Sequence, residues 1–212
     1  MDVILLDFTK AFDSVPYQHL LVKLRGYGIS GKFLSWLSDF LVGRKQRVSF
    51  REHFSPWTSV TSGVPQGSVL GPVLFLAYIN NITTGVRSSM RLFADDSKVY
   101  RIIYNENDEN QLQCDLNTLQ KWSECWQLRF HPDKCEVLRI THARDFTSYP
   151  YKLPGFTLQS VTETVNLGVS LTSNLSWNTQ TQTVVKPTRL WVSLKGMSVR
   201  ETRKPFLVCT RP

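Results

Sequence analysis

Apolar positions change period along the chain, and each change marks an element. VILLDF (3–8) is a short continuous apolar run ending at an acid, the pattern of a strand buried on both faces. In the next stretch Pro16 suits a first helical turn, Leu20, Leu21 and Leu24 share a face, and Gly26 or Gly28 can stop the helix. A second helix reads from Ser30 or Gly31, with Phe33, Leu34, Trp36, Leu37, Phe40 and Leu41 at helical spacing until Gly43. Residues 45–62 read as a hairpin or loop with QRVSF and TSV as short strands. SGVPQGSVLGP is an ordered Gly/Pro loop feeding a helix, VLFLAYINNI, with Gly71 near the cap and Pro72 at its first position. A strand pair lies around residues 91–104. Residues 108–127 then form an amphipathic helix with Leu112, Leu116, Leu119, Trp122 and Trp126 on one face. KCEVLRI (134–140) and TETVNLGVSL (162–171) read as two more strands.

This order of strands and helices predicts an α+β layer fold, an antiparallel sheet with helices packed on one face. With 212 residues and 42% hydrophobic content, the chain can bury one sizeable core. From about residue 186 the pattern decays, so residues 186–212 are expected to be a poorly ordered basic tail. Charge follows the same division. Residues 1–100 carry 11 basic and 7 acidic groups, 101–185 carry 7 and 9, and 186–212 carry 7 and 1. Much of the net +8 therefore sits in the tail, and GRKQRVSFRE, with Arg44, Lys45, Arg47 and Arg51, is the better candidate for phosphate contact. A solvated basic hairpin is the competing reading.

Four scattered cysteines suit a reducing compartment and an intracellular protein. The spacing of Cys125, His131, Cys135 and His142 matches no common zinc framework. MDVILLDF has no basic leader of a secretory signal, and the longest apolar stretch, VLGPVLFLAYI, is interrupted by Pro72 and too short to cross a bilayer.

LFADDSKVY (92–100) sets two adjacent acids inside an apolar, β-leaning run. A strand passing straight through both could aim one carboxylate at a given site, so the backbone is expected to turn there. Asp95 should then face Asp7 across the sheet edge, with Asp96 more peripheral. Three converging carboxylates are poor for stability and useful for two hard cations, which activate an attacking oxygen and stabilise a leaving one. Oxygen-only donors favour Mg²⁺ or Mn²⁺. Without a cation, mutual repulsion should raise at least one carboxyl pKa. Taken alone, ADDS also reads as an exposed acidic turn.

LLDFTKAFDSVPYQHLLVKLRGYGI, SGVPQGSVLGPVLFLAYINNI, LFADDSKVY, HPDKCEVLRI and VNLGVSLTSNLSW, in this order, resemble the reverse transcriptase of non-LTR, LINE-like (jockey-type) retrotransposons. The resemblance covers roughly residues 3 to 195. It implies a polymerase palm at residues 1–160, with partial fingers at about 30–62. A primer-grip-like hairpin and the start of a thumb would follow at 161–185. Asp7 and Asp95 would be the principal metal ligands and Asp96 the third carboxylate. Phe12 would be the aromatic that disfavours a 2′-hydroxyl, with Phe8, Gln66 and Gly67 also at the nucleotide. Lys134 would be a proton donor to the leaving pyrophosphate, Leu167 and Gly168 the hairpin that positions the primer end, and Arg44 and Arg47 primer/template contacts. The implied partners are an RNA template, a DNA primer and dNTP, and the implied reaction is in-line attack of a primer 3′-hydroxyl, achieved by positioning and charge stabilisation.

The sequence departs from the family at His131, Asn166 and Gln180. It also starts almost at the first catalytic strand and turns into GMSVRETRKPFLVCTRP where thumb helices should continue. These features predict a chain truncated at both ends, with intact acids and weak or no synthesis by itself. Two other classes compete: a non-enzymatic nucleic-acid-binding remnant using the basic segments, and a two-metal nuclease, in which the PQG loop and Phe12 have no evident role.

Overall fold

The apolar run that opens the chain becomes a central strand. The computed structural model describes residues 1–51, 53–141 and 149–182, together with the backbone of Phe206–Thr210. His142 and most of the tail lie outside the described residues. The chain divides into two units, the first comprising Met1–Asp7, Gly85–Gln120 and Phe130–Glu201, the second Phe8–Thr84, Lys121–Arg129 and Thr202–Pro212.

In chain order the elements are β1 (Asp2–Leu6), α1 (Ala11–Ser14), α2 (Tyr17–Gly26), α3 (Gly31–Leu41), β2 (Lys45–Phe50), β3 (His53–Phe54), β4 (Thr58–Ser59) and α4 (Leu70–Ile79). They continue with β5 (Ser89–Phe93), β6 (Asp96–Arg101), α5 (Glu106–Trp126), β7 (Glu136–Arg139), β8 (Lys152–Leu153) and β9 (Phe156–Thr157). β10 (Gln159–Val161), β11 (Glu163–Asn166), β12 (Val169–Thr172) and β13 (Phe206–Thr210) complete the set.

The first unit is built on a five-stranded sheet of order β10-β7-β1-β6-β5. β1 pairs antiparallel with β6 and β7, β5 antiparallel with β6, and β10 parallel with β7. All five residues of β1 are buried, as an apolar run flanked on both edges requires. On one face Val3, Leu5 and Leu138 pack with Tyr100, Val161 and Leu171. Leu112, Leu116 and Leu119 of α5 are fully buried, as the helical period predicts.

The acid at the start of β1 is also buried. Asp2 accepts two 2.9 Å hydrogen bonds from the Arg139 guanidinium and one of 2.8 Å from the Tyr151 hydroxyl. Opposite charge and donors satisfy every face of this carboxylate, which is why it survives 2% exposure. Burial and the neighbouring Asp2 charge push the Tyr151 hydroxyl far above its usual range. Asp115, also buried, accepts from the Arg87 and Ser88 N–H groups (3.0 and 2.8 Å) and holds the loop entering β5.

The second unit gathers α2, α3 and α4 around Leu20, Leu24, Leu37, Leu41, Phe75 and Tyr78. A lysine sits among these side chains. Lys23 is 7% exposed, with Nζ 3.7 Å from the Trp126 ring centroid, 4.6 Å from Tyr78 and 5.1 Å from Trp122. It donates to the Tyr78 carbonyl and to Asn81 Oδ1, which also accepts from Trp122 Nε1 at 3.0 Å. Burial lowers its pKa to about 8, against a smaller opposing influence of Cys125. β2 pairs antiparallel with β3, β4 and β13. A strand thus forms at Phe206–Thr210, inside the stretch whose pattern had decayed.

The architecture is α+β with mainly antiparallel sheets. Three local readings change. α4 begins at Leu70, two residues before Pro72, because Ser68 Oγ accepts the Gly71 N–H at 2.9 Å and starts the helix early. Pro72 still falls in the first turn, where no intrahelical N–H is needed. TETVNLGVSL is a hairpin and not one strand, with Asn166 opposite Val169 across Leu167-Gly168. Pro16 occupies the cap position of α2 and lies outside its first turn. Among the described residues no helix is long and apolar enough to cross a membrane.

Candidate active site

The two-residue turn between β5 and β6 is Ala94-Asp95, with Phe93 paired to Asp96. Ala94 has φ 52° while Asp95 does not have positive φ, the type II′ pattern that suits the twist of a hairpin. The backbone therefore turns one residue earlier than the acidic pair suggested. Leu6 pairs with Ser97, so the next step of the ladder sets Asp7 opposite Asp96. Asp96 thus joins the ladder level with Asp7 while Asp95 sits in the turn, and the charges of both reach the Lys134 ammonium beside Asp7.

Directly opposed residues share a face, so Asp7, Asp96 and Glu136 (the β7 partner of Leu5) lie on the same side of the sheet. They border a cavity of about 330 Å³ with Ser97, Lys134 and Thr164. Burial raises the Asp96 pKa, and the charges of Asp95 and Asp7 raise it further against the pull of Lys98 and Lys134. The Lys134 ammonium lies 3.0 Å from Asp7 Oδ2, and this hydrogen bond and charge raise its own pKa. Thr164 donates to Glu136 Oε2 at 2.9 Å, tying the β11–β12 hairpin to β7.

Among the described residues no group of three or more Asp, Glu, His or Cys side chains is gathered closely enough to hold a metal ion as it stands. The donor set is nevertheless of the right chemistry. Carboxylate oxygens on one sheet end suit Mg²⁺, which keeps several waters and binds through a few carboxylates plus substrate phosphates. Asp7, Asp95 and Asp96 are the residues that could hold such an ion, and Lys134 lies against Asp7. Burial pushes the neighbouring Cys135 thiol up to about 11.

In the second unit the turn at residues 12–15 and the loop at 62–66 are laced together. Val64 N–H donates to the Phe12 carbonyl and Gly63 N–H to that of Val15, both at 2.8 Å, while Ser62 Oγ donates to the Asp13 carbonyl at 2.7 Å. Gly63 has φ 89°, and a Cβ there would fall 2.7 Å from Asp13 Cα, so glycine alone allows this approach. The structure thereby brings Phe12 and Gln66 together. The Phe12 ring stacks on Phe75 at 4.3 Å, half-buried, and Gln66 and Gly67 are exposed.

Two expected contacts take other roles. Phe8 is 2% exposed and packs against Trp122 in the core, out of reach of a nucleotide. Arg44 is 8% exposed and spends its guanidinium on the carbonyls of Leu41 (2.9 Å) and Gly63 (2.6 Å) and on Tyr17 Oη (2.9 Å). Arg44 holds the loop and offers no free face to phosphate. Arg47 lies over Phe54 (4.0 Å) and Trp57 (4.5 Å) on a sheet with exposed Phe50 and Lys45. Leu167 (φ 49°) and Gly168 (φ 78°) form a two-residue turn with both φ positive, the type I′ pattern. Leu167 is half exposed at the tip.

The model of the family described as "Reverse transcriptase (RNA-dependent DNA polymerase)" matches residues 3–171. The chain belongs to the reverse transcriptase family. It is 24% identical to a "Probable RNA-directed DNA polymerase from transposon BS" of Drosophila melanogaster, over the whole of this chain and 25% of that protein. It is 31% identical to the RNA-directed DNA polymerase from mobile element jockey of Drosophila funebris, over 81% of this chain and 20% of the relative. The D. melanogaster jockey protein is 27% identical over 96% and 23%. The chain thus spans about a quarter or less of the curated relatives it matches. The fold is similar to that of a Candida tropicalis apo telomerase truncated from its C-terminal domain (TM-score 0.51, 10% identity), covering 82% of this chain and 34% of that one.

In this reverse transcriptase domain, sequence reasoning missed the places of Glu136 and Thr164. Glu136 shares its face of β7 with the buried Leu138, so alternation alone reads it as a core position.

Proposed function

We propose that the chain is the catalytic core of an RNA-directed DNA polymerase, extending a DNA primer with dNTP on an RNA template inside the cell. The observation that carries this reading is the placement of Asp7 opposite Asp96, with Asp95 at the adjoining turn. Family membership supplies the reaction class. Asp7, Asp95 and Asp96 would hold Mg²⁺ or Mn²⁺, which when bound supplies charge neutralisation at the reacting phosphate.

The chain's own residues do the rest by position. Lys134 is held protonated by Asp7 and is the proton donor assigned to the leaving pyrophosphate. Gln66 and Gly67 present a polar edge and open backbone to the nucleotide, and Phe12 offers the apolar ring beneath its sugar. Leu167-Gly168, clasped through Thr164 and Glu136, presents the primer end. Arg47 contacts template or primer phosphate, while Arg44 acts through the Gly63–Gln66 loop. Residues 1–160 correspond to a palm with partial fingers at about 30–62, and 161–185 to the primer-grip hairpin and the start of a thumb.

The test is primer extension on an RNA template with Mg²⁺ or Mn²⁺, alongside direct Mn²⁺ titration of the chain. The expected result is slow, template-directed addition that falls at least about 100-fold in Asp7→Ala, with Mn²⁺ affinity falling in parallel. Cleavage of nucleic acid without dNTP, or salt-dependent RNA retention insensitive to Asp7→Ala and without synthesis, would overturn the reading.

A further inference from the structure

Asp13 is exposed, lies outside the carboxylate set and has no role in the chemistry above. Its carboxylate accepts the Gln66 Nε2–H at 3.0 Å. A carboxylate is acceptor-only, so the amide nitrogen of Gln66 must face Asp13 and the amide oxygen must face away. The backbone around this pair is fixed on both sides. Ser62 Oγ and Gly63 lock onto the backbone of Asp13, and Arg44 and the Tyr17 hydroxyl take the carbonyls of Gly63 (2.6 Å) and Ser62 (2.9 Å). An unfixed glutamine side chain could present either end of its amide. This one, three residues beyond the clamped Ser62-Gly63 dipeptide, is oriented.

We infer that Asp13 is a positioning residue that orients the Gln66 amide, so that Gln66 offers an oxygen and recognises a hydrogen-bond donor on the bound nucleotide. This rests on the proposal that Gln66 contacts the nucleotide. The donor is a sugar hydroxyl or an exocyclic base amine, since a triphosphate offers acceptors alone. Asp13→Glu keeps an acceptor-only carboxylate for Nε2, whereas Asp13→Ala leaves the amide free to rotate.

Two measurements on the full chain separate the inference from the polymerase reading. The first is NMR of the Gln66 side-chain amide without ligand. Its protons should shift and exchange faster with solvent in Asp13→Ala and remain near wild type in Asp13→Glu. An unchanged amide in Asp13→Ala overturns the inference whatever the activity. The second is steady-state incorporation. Asp13→Ala should raise KM for dNTP about 3–10-fold with kcat little changed, the size of one lost hydrogen bond, and Asp13→Glu should restore it. Loss of discrimination against 3′-deoxynucleotides assigns the donor to the sugar. A KM effect present for dATP and dCTP but absent for dTTP assigns it to the base amine. Equal falls in kcat for both variants would mark Asp13 as merely structural and overturn the inference. Absence of all incorporation by wild type, with the amide response intact, would sink the polymerase reading and leave the pairing standing.

Discussion

Lys23 provides a quantitative test of the second unit's core. Its folded pKa is about 8, against 10.5 when unperturbed. The unfolded chain holds the proton until near 10.5, whereas the folded chain releases it near 8. Between those values the unfolded state binds more protons, so stability rises with pH, and the penalty for burying the cation is fully present below 8. Integrating from neutrality to about pH 9.5 gives a rise of about 2 kcal/mol. Solvent screening and the three aromatic faces around Nζ favour the cation and reduce this to about 1 kcal/mol. The neutral amine still has two protons for the Tyr78 carbonyl and Asn81 Oδ1, so the hydrogen bonds persist. Lys23→Met removes the titration and serves as the baseline against which other groups cancel. Urea unfolding of both proteins at several pH values between about 7 and 9.5 measures the difference, and stopping there avoids ordinary tyrosine ionisation near 10. Burial keeps Tyr78 protonated well beyond that. The stability difference, wild type minus Lys23→Met, should climb by about 1 kcal/mol across the range. A difference that stays flat, or declines, would refute the burial argument.

Removing a partner from the buried Asp2 site should be severe. Asp2→Ala strips the Arg139 guanidinium of its bidentate acceptor and should cost about 3–5 kcal/mol, read by thermal unfolding. A loss below about 1 kcal/mol would show the pair to be wet and weak. Leu167 holds a left-handed φ that asparagine tolerates and leucine resists. Leu167→Asn should therefore raise stability by about 1 kcal/mol in urea unfolding while weakening primer use, and a destabilised variant would contradict the strain.

Periodicity made much of the scaffold legible. β1 and α5 could be read because a buried strand and a one-faced helix each leave a regular apolar pattern. What escaped reading was long-range pairing. Nothing near Asp2 in the chain marks it as a buried acid, and its partner is 137 residues away. Arg44 looked like a surface cation beside Lys45, and nothing local shows that its acceptors lie on Leu41, Tyr17 and Gly63. Phe8 follows Asp7 in the chain and still faces the core, because adjacent side chains leave a backbone in different directions.

The place of the β5–β6 turn was misread by one residue, for one physical reason. A two-residue hairpin turn needs positive φ, and glycine or asparagine normally announces where it is. The Leu167 turn is marked by Gly168, whereas Ala94 occupies the positive-φ position of the β5–β6 turn, which therefore carries neither. A one-residue change in the turn decides which aspartate joins the ladder beside β1. The same choice gives the site its form, since a turn at Ala94-Asp95 puts Asp96 on the ladder opposite Asp7 and leaves Asp95 at the tip. Folding alone would not select two opposed acids on one face, with a carboxyl whose pKa burial and repulsion have already raised. Lys134 offsets part of that repulsion at Asp7. Left-handed residues at both hairpins, and like charges gathered between them, are local rules broken together at one sheet end. Rules broken together in this way are the physical mark of selection for chemistry over stability.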